Sequence, residues 1–157
     1  MEHLVYLDNA GKVGQKEKDK ILNQDKNMII RGATGRKIPH SRVFENETLY
    51  FIEKGSKNIY FKAKVESVQN YIKLTDIEIQ KVLHENQKFL NLSENQIKKW
   101  SRKCLILIKF KDLKVLDKPL QFNHQLNMDD WLILEKIEDV LVDTSVKYNY
   151  ENSKFKK

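Results

Sequence analysis

Four cations set close together carry the most legible chemistry in this sequence. Arg31, Arg36, Lys37 and Arg42 fall within a dozen residues, with no acidic residue between the first and the last. Gly32 and Gly35 interrupt them, and glycine lets a backbone approach a ligand closely. Guanidinium groups suit phosphate because their fork of donors matches its oxygens. The segment therefore reads as a phosphate-positioning loop. His40 lies in the same loop, where flanking cations favour its neutral form. The plain alternative is a solvated loop with one arginine in an internal ion pair.

Aromatic rings are the second signal. Single-stranded nucleic acid is held by stacking bases on such rings, at about 1–3 kcal/mol per base. Tyr50, Tyr60 and Trp131 are the candidates, with core packing as the plain alternative for each. Tyr50 and Tyr60 take strand faces opposite Phe51 and Phe61, so one set of rings is core. Trp131 follows two acids, Asp129 and Asp130, which suit the edge of a base.

Other chemistries find no pattern. His3, His40, His84 and His124 show no metal-ligand spacing, and Cys104 is the single cysteine. A zinc site and an intrachain disulfide are thereby excluded. Cys104 opens the run Cys104-Leu105-Ile106-Leu107-Ile108 and reads as a buried, inert thiol. Ser41 lacks a nucleophile-elbow context. No cofactor is called for.

The elements that must position these residues follow from periodicity. His3–Leu7 is a short strand, and Asp8 or Asn9 caps a helix over roughly Ala10–Asn23 that Gly11 and Gly14 weaken. Met28–Ile30 is a strand leading into the basic loop. Leu49–Glu53 and Ile59–Val68 alternate with period two around Lys54–Asn58, a hairpin. Thr75/Glu78 and Ser93/Gln96 are two capping boxes, with Leu74/Ile79 and Leu92/Ile97 as hydrophobic staples, and they begin two successive helices. Cys104–Leu116 is a strand buried on both faces at its start, ended by Asp117-Lys118-Pro119. Lys109 and Lys114 fall on this strand, away from the basic loop. Trp131–Leu132 leads into a last apolar stretch through Ile137, Val140 and Val142.

The chain of 157 residues suits one domain, placed at 1–142, with a polar tail at 143–157. The net charge is +7 and the pI about 9.3. The excess is uneven: residues 27–64 carry a net +5 and residues 104–142 a net −2. The polar N-terminus has no signal-peptide pattern, and the apolar runs are too short to span a bilayer. A cytoplasmic protein without a membrane partner is expected. Helices inserted into a mostly antiparallel sheet predict an α+β fold closing as a small mixed β-barrel flanked by helices.

Met28-Ile-Ile-Arg-Gly32, the Gly35-Arg36-Lys37 loop, Leu49–Glu53 and Lys62-Ala-Lys-Val65 together resemble the PUA-like superfamily, and within it the ASCH and EVE branches. The ASCH branch carries a G-x-K-x-x-E-x-R loop. Gly35–Arg42 matches its glycine, lysine and arginine in register, but His40 stands at the glutamate position. The resemblance implies RNA or modified-nucleotide binding in a basic cleft, with Arg31, Arg36, Lys37, His40, Arg42, Tyr50 and Trp131 as site residues and no catalysis. The alternative it implies is an amidohydrolase acting on acylated cytidine or a related base. Lys37 would then need a replacement carboxylate, from Glu47 or Asp130. A protein-interaction module is a third class.

Overall fold

A computed structural model describes residues 1–123 and 130–144. Residues 124–129, with His124 and Asp129, and the polar stretch 145–157 lie outside the described residues. The elements run β1 (Glu2–Leu7), α1 (Glu17–Leu22), β2 (Met28–Ala33), β3 (Thr48–Glu53), β4 (Asn58–Tyr71), α2 (Asp76–Leu90), α3 (Glu94–Trp100), β5 (Cys104–Gln121) and β6 (Trp131–Leu134), then one 3₁₀ turn at Ile137–Val140. The strands form one sheet in the order β2-β5-β4-β3-β1-β6. Only β1 and β3 pair in parallel; the other ladders are antiparallel. The sheet curls into a half-barrel, giving the expected α+β fold.

Alternation assigns each side chain to a face. Val5, Leu49, Phe51, Phe61, Val65 and Ile108 point inward with Trp131. The outward residues split into two clusters. Met28, Ile30, Leu105 and Leu107 take the apolar sides of α2 and α3. Leu4, Tyr50, Ile52 and Leu132 are covered by the 3₁₀ turn and the far end of β5.

Both capping boxes form as their spacing predicts. The Glu78 amide donates to Thr75 Oγ1 at 3.2 Å and the Thr75 amide to Glu78 Oε1 at 3.0 Å. Ser93 and Gln96 repeat the pair. The first helix is shorter than Ala10–Asn23. Gly11 and Gly14 sit at φ 109° and 86°, left-handed backbone that an α-helix cannot contain, so α1 starts only at Glu17. β5 instead runs past Pro119, the expected stop. Its β2 ladder ends at Lys109. Among the described residues no strand pairs with that edge of β5 beyond Lys109 until the Phe122–Leu141 bridge, and an unpaired edge tolerates proline.

At Gly32 two strands come unusually close. A Cβ there would meet Leu105 Cδ2 at 2.6 Å and the Cys104 carbonyl at 2.9 Å. Among the described residues no helix is long and apolar enough to cross a membrane, and no cluster of His, Cys, Asp or Glu could hold a metal.

Candidate functional site

On β2 the inward positions are Ile29 and Arg31, which puts a guanidinium on a core face. Arg31 is 8% exposed. The curl of the sheet brings its edge strands β2 and β6 together, and Arg31 bridges that seam. Nη2 donates to the Tyr6 carbonyl at 2.7 Å, and Nη1 donates to its own neighbour, the Ile30 carbonyl, at 2.8 Å. Nε is buried and has no hydrogen-bond partner among the described residues. The guanidinium carbon lies 5.2 Å from the Trp100 ring centre and 5.8 Å from that of Trp131. A desolvated cation between two aromatic faces gains cation–π energy on both sides. Burial lowers the Arg31 pKa, while Glu17, Asp130 and Asp8 oppose that shift; an arginine stays charged there.

Two small cavities flank the guanidinium. Lys37, Ile38, Trp100, Asp130 and Trp131 line one with Arg31, and Tyr6, Asp8, Glu17, Lys54, Gln96 and Lys99 contribute to the other. Their volumes are about 30 Å³ and 20 Å³, room for ordered water but not for a nucleobase. At the mouth of the seam Trp100 is half-buried and Lys37 exposed. Asp130 pairs with Lys54 at 3.5 Å.

A second layer fixes Trp131, which is 1% exposed. Its indole N–H donates to His3 Nδ1 at 2.9 Å, and His3 Nε2 bonds Glu47 Oε1 at 2.9 Å. With Nδ1 accepting, the proton of His3 belongs on Nε2, so Glu47 accepts. The Phe44 amide and the Met1 amino group also donate to Glu47. Burial alone would raise the Glu47 pKa. The hydrogen bonds from His3, Met1 and Phe44 more than offset it and hold the carboxyl at about 2.

The predicted site residues thus separate. Arg31, Lys37 and Trp131 come together. Arg36 is exposed and Arg42 half-buried on the same loop, and neither lines the cavities. His40 is 4% exposed and fastens the loop: Nε2 bonds the Tyr71 carbonyl at 3.0 Å, and Nδ1 bonds Ser41 Oγ at 2.8 Å. Burial lowers its pKa and Arg36 pushes the same way, while the bond to Tyr71 opposes them. Tyr50, at 7% exposure, faces outward under Lys62, away from the seam. Burial pushes its hydroxyl pKa up to about 12. Trp100, which the sequence reading did not single out for the site, is the second ring against Arg31; the signal available for it was an inward-facing arginine that needed a partner.

The same architecture occurs in solved structures. An ASCH protein from Zymomonas mobilis superposes with a TM-score of 0.61 at 12% identity, over 86% of this chain and 88% of that one. A tyrosine-to-phenylalanine variant of it gives 0.61 at 14% identity, over 86% and 91%. A serine-to-alanine variant gives 0.56 at 11%, over 76% and 73%. The chain has the PUA-like fold of ASCH structures. No protein-family model and no curated protein sequence matches it. At such identities the likeness speaks for the fold alone.

Proposed function

We propose that the seam is an RNA- or modified-nucleotide-binding site in which one base stacks on Trp100 and turns its edge toward Arg31 and Asp130. The observation that carries this is the Arg31 guanidinium, clamped between two tryptophans with Nε unspent. Its donor direction is fixed before any ligand arrives, and an ordered water in the flanking cavity would relay that donor to a base at the mouth. Asp130 supplies an acceptor for a base N–H. Lys37, with Arg36 and Arg42 on the same loop, supplies phosphate contacts. Trp131 acts beneath this layer, positioned by His3 and Glu47.

The test is titration of short single-stranded RNAs at low salt, followed by tryptophan fluorescence. Trp100→Ala is expected to cost about 1–3 kcal/mol of affinity, and Lys37→Glu to weaken binding while leaving the melting temperature in place. No binding across a panel of RNAs and nucleotides, or binding indifferent to added salt, would overturn the reading.

One observation favours a second reading. Lys37 and Asp130 line the same cavity, the pair that hydrolysis of an acylated base requires. Asp130 would take a proton from water as its oxygen adds to the amide carbon, Lys37 would stabilise the oxyanion, and Asp130 would return the proton to the base's exocyclic nitrogen as the C–N bond breaks, releasing the free amine and a carboxylic acid. Glu47, the other candidate carboxylate, is committed to His3 and Phe44. Incubation with N-acylated cytidine, read by chromatography, decides: product lost in both Lys37→Ala and Asp130→Asn supports catalysis, and no product at high protein concentration retires it.

A further inference from the structure

The outer face of the sheet carries a second concentration of charge, on the part of β5 beyond its β2 ladder and on the facing part of β4. Between the two covered apolar clusters lies a strip of β4 and β5 that no element among the described residues covers. There Lys62 stands opposite Lys114, and Lys64 opposite Lys111. Alternate residues on a strand are about 7 Å apart, and directly opposed residues about 5 Å. Four ammonium groups therefore root within one small patch. Like charges directly opposite destabilise a ladder, and here the arrangement occurs on both sides of a register shift, with Asp112 and Leu113 between Lys111 and Lys114. Among the described residues none of the four has an ion pair. Lys64 donates to Thr48 Oγ1, and Lys62 lies over the Tyr50 ring. The neighbouring Lys109 differs: it is neutralised by Glu66 at 3.4 Å. Lys64 itself lines a groove with Glu2, Glu45, Glu47 and Glu135, so carboxylates bound the band on that side.

We infer that this band binds the phosphate backbone of a nucleic-acid strand, separately from the seam. The opposed pairs are the argument: the repulsion within both rows falls when an anion sits across them. A strand of nucleic acid is favoured over other polyanions because an exposed aromatic ring flanks the lysines. Tyr60, two residues before Lys62 on β4, is 49% exposed, and an aromatic face beside phosphate-binding cations is how sequence-tolerant strands are held. The band adds affinity and strand length and carries no base selectivity.

The experiment compares the unaltered protein with the fourfold variant Lys62→Gln, Lys64→Gln, Lys111→Gln and Lys114→Gln, using an oligouridylate of about 15 nucleotides. Four phosphate contacts on a single strand contribute about 3 to the slope of log affinity against log salt, and the variant is expected to lose that much. Single Lys111→Gln and Lys114→Gln changes are expected to raise the melting temperature at low salt by about 1–3 °C, a gain that disappears when the oligonucleotide is added. Tyr60→Ala is expected to weaken binding without altering the slope, and Lys109→Gln to leave it unchanged. Repeating the slope in a Trp100→Ala background separates the two surfaces, since the band's contribution survives there whether or not the seam binds. An unchanged slope in the fourfold variant overturns the proposal. So does equal, lysine-dependent capture of phosphatidylserine vesicles, which would make the band a generic anion surface.

Discussion

At the seam one guanidinium is buried, clamped by two carbonyls and two indole rings, with Glu17, Asp130 and Asp8 opposing the effect of its burial. On the outer band four ammonium groups stand in opposed pairs with no ion pair among the described residues. Both regions are cationic, and they differ in what happens when the charge is removed. Deleting the seam cation strands its carbonyls and acids in a low-dielectric site. Deleting a band lysine relieves repulsion. A cation that the fold depends on can present a fixed direction to a ligand; a cation that the fold merely tolerates is free to be spent on binding.

The sharpest way to break this contrast is Arg31→Leu. It is expected to cost about 3 kcal/mol or more, lowering the melting temperature by roughly 6–12 °C, opposite in sign to Lys114→Gln. Equal, small shifts in the two variants would erase the distinction.

Acid unfolding tests the support under Trp131. The folded Glu47 carboxyl titrates near 2, below its ordinary 4.5. Its contribution is therefore whole above about pH 4.5 and is lost as pH falls toward 2, at most about 3 kcal/mol. Glu47→Gln is expected to flatten stability across that window, and the loss in the unaltered protein is expected to coincide with a change in Trp131 fluorescence.

Alkaline conditions probe the ground below the seam. Lys26 is 2% exposed and donates to the Leu90 carbonyl at the end of α2. Burial lowers its pKa from 10.5 to about 8, with Glu17 resisting and Arg31 and Lys20 assisting. The unfolded chain then binds more protons than the folded one between pH 8 and 10.5, so stability rises with pH across that range, by on the order of 2 kcal/mol. Glu17→Gln removes the counter-charge that Arg31 and Lys26 share and is expected to move the onset below pH 8. Urea denaturation at stepped pH reads both effects.

The smallest expected effect is a control on both regions. Thr75→Ala removes one cap of α2 and is expected to cost about 1 kcal/mol, while leaving RNA affinity and its salt slope unchanged.

Local interactions were the legible ones. Thr75 with Glu78 and Ser93 with Gln96 each close within three residues, so spacing alone named them. The β3–β4 hairpin was legible for the same reason. The length of β5 was not, because whether Pro119 ends a strand depends on which edge is unpaired, a fact about β2. The site was legible in half. Arg31, Lys37 and Trp131 were singled out, but the loop was read as a single cationic surface. Alternation with Ile29 already turned Arg31 inward, away from Arg36 and Arg42. His40 was placed in the loop by sequence; that it fastens the loop to Tyr71 follows from a contact across 31 residues that no local pattern encodes.

Gly32 has a consequence for how the chain finds its alignment. Cys104–Ile108 is apolar on both faces, so alternation gives β2 no reason to prefer one offset along β5 over the next. A slide of one residue would turn Arg31 outward into the apolar cluster under α2 and α3, and would bring either Arg31 or Ala33 to the point opposite Leu105 where a Cβ has 2.6 Å to its nearest neighbour. The offset is thus chosen by exclusion rather than attraction: a missing side chain works as the key that admits one alignment. The guanidinium on which the seam depends owes its address to an atom that is not there.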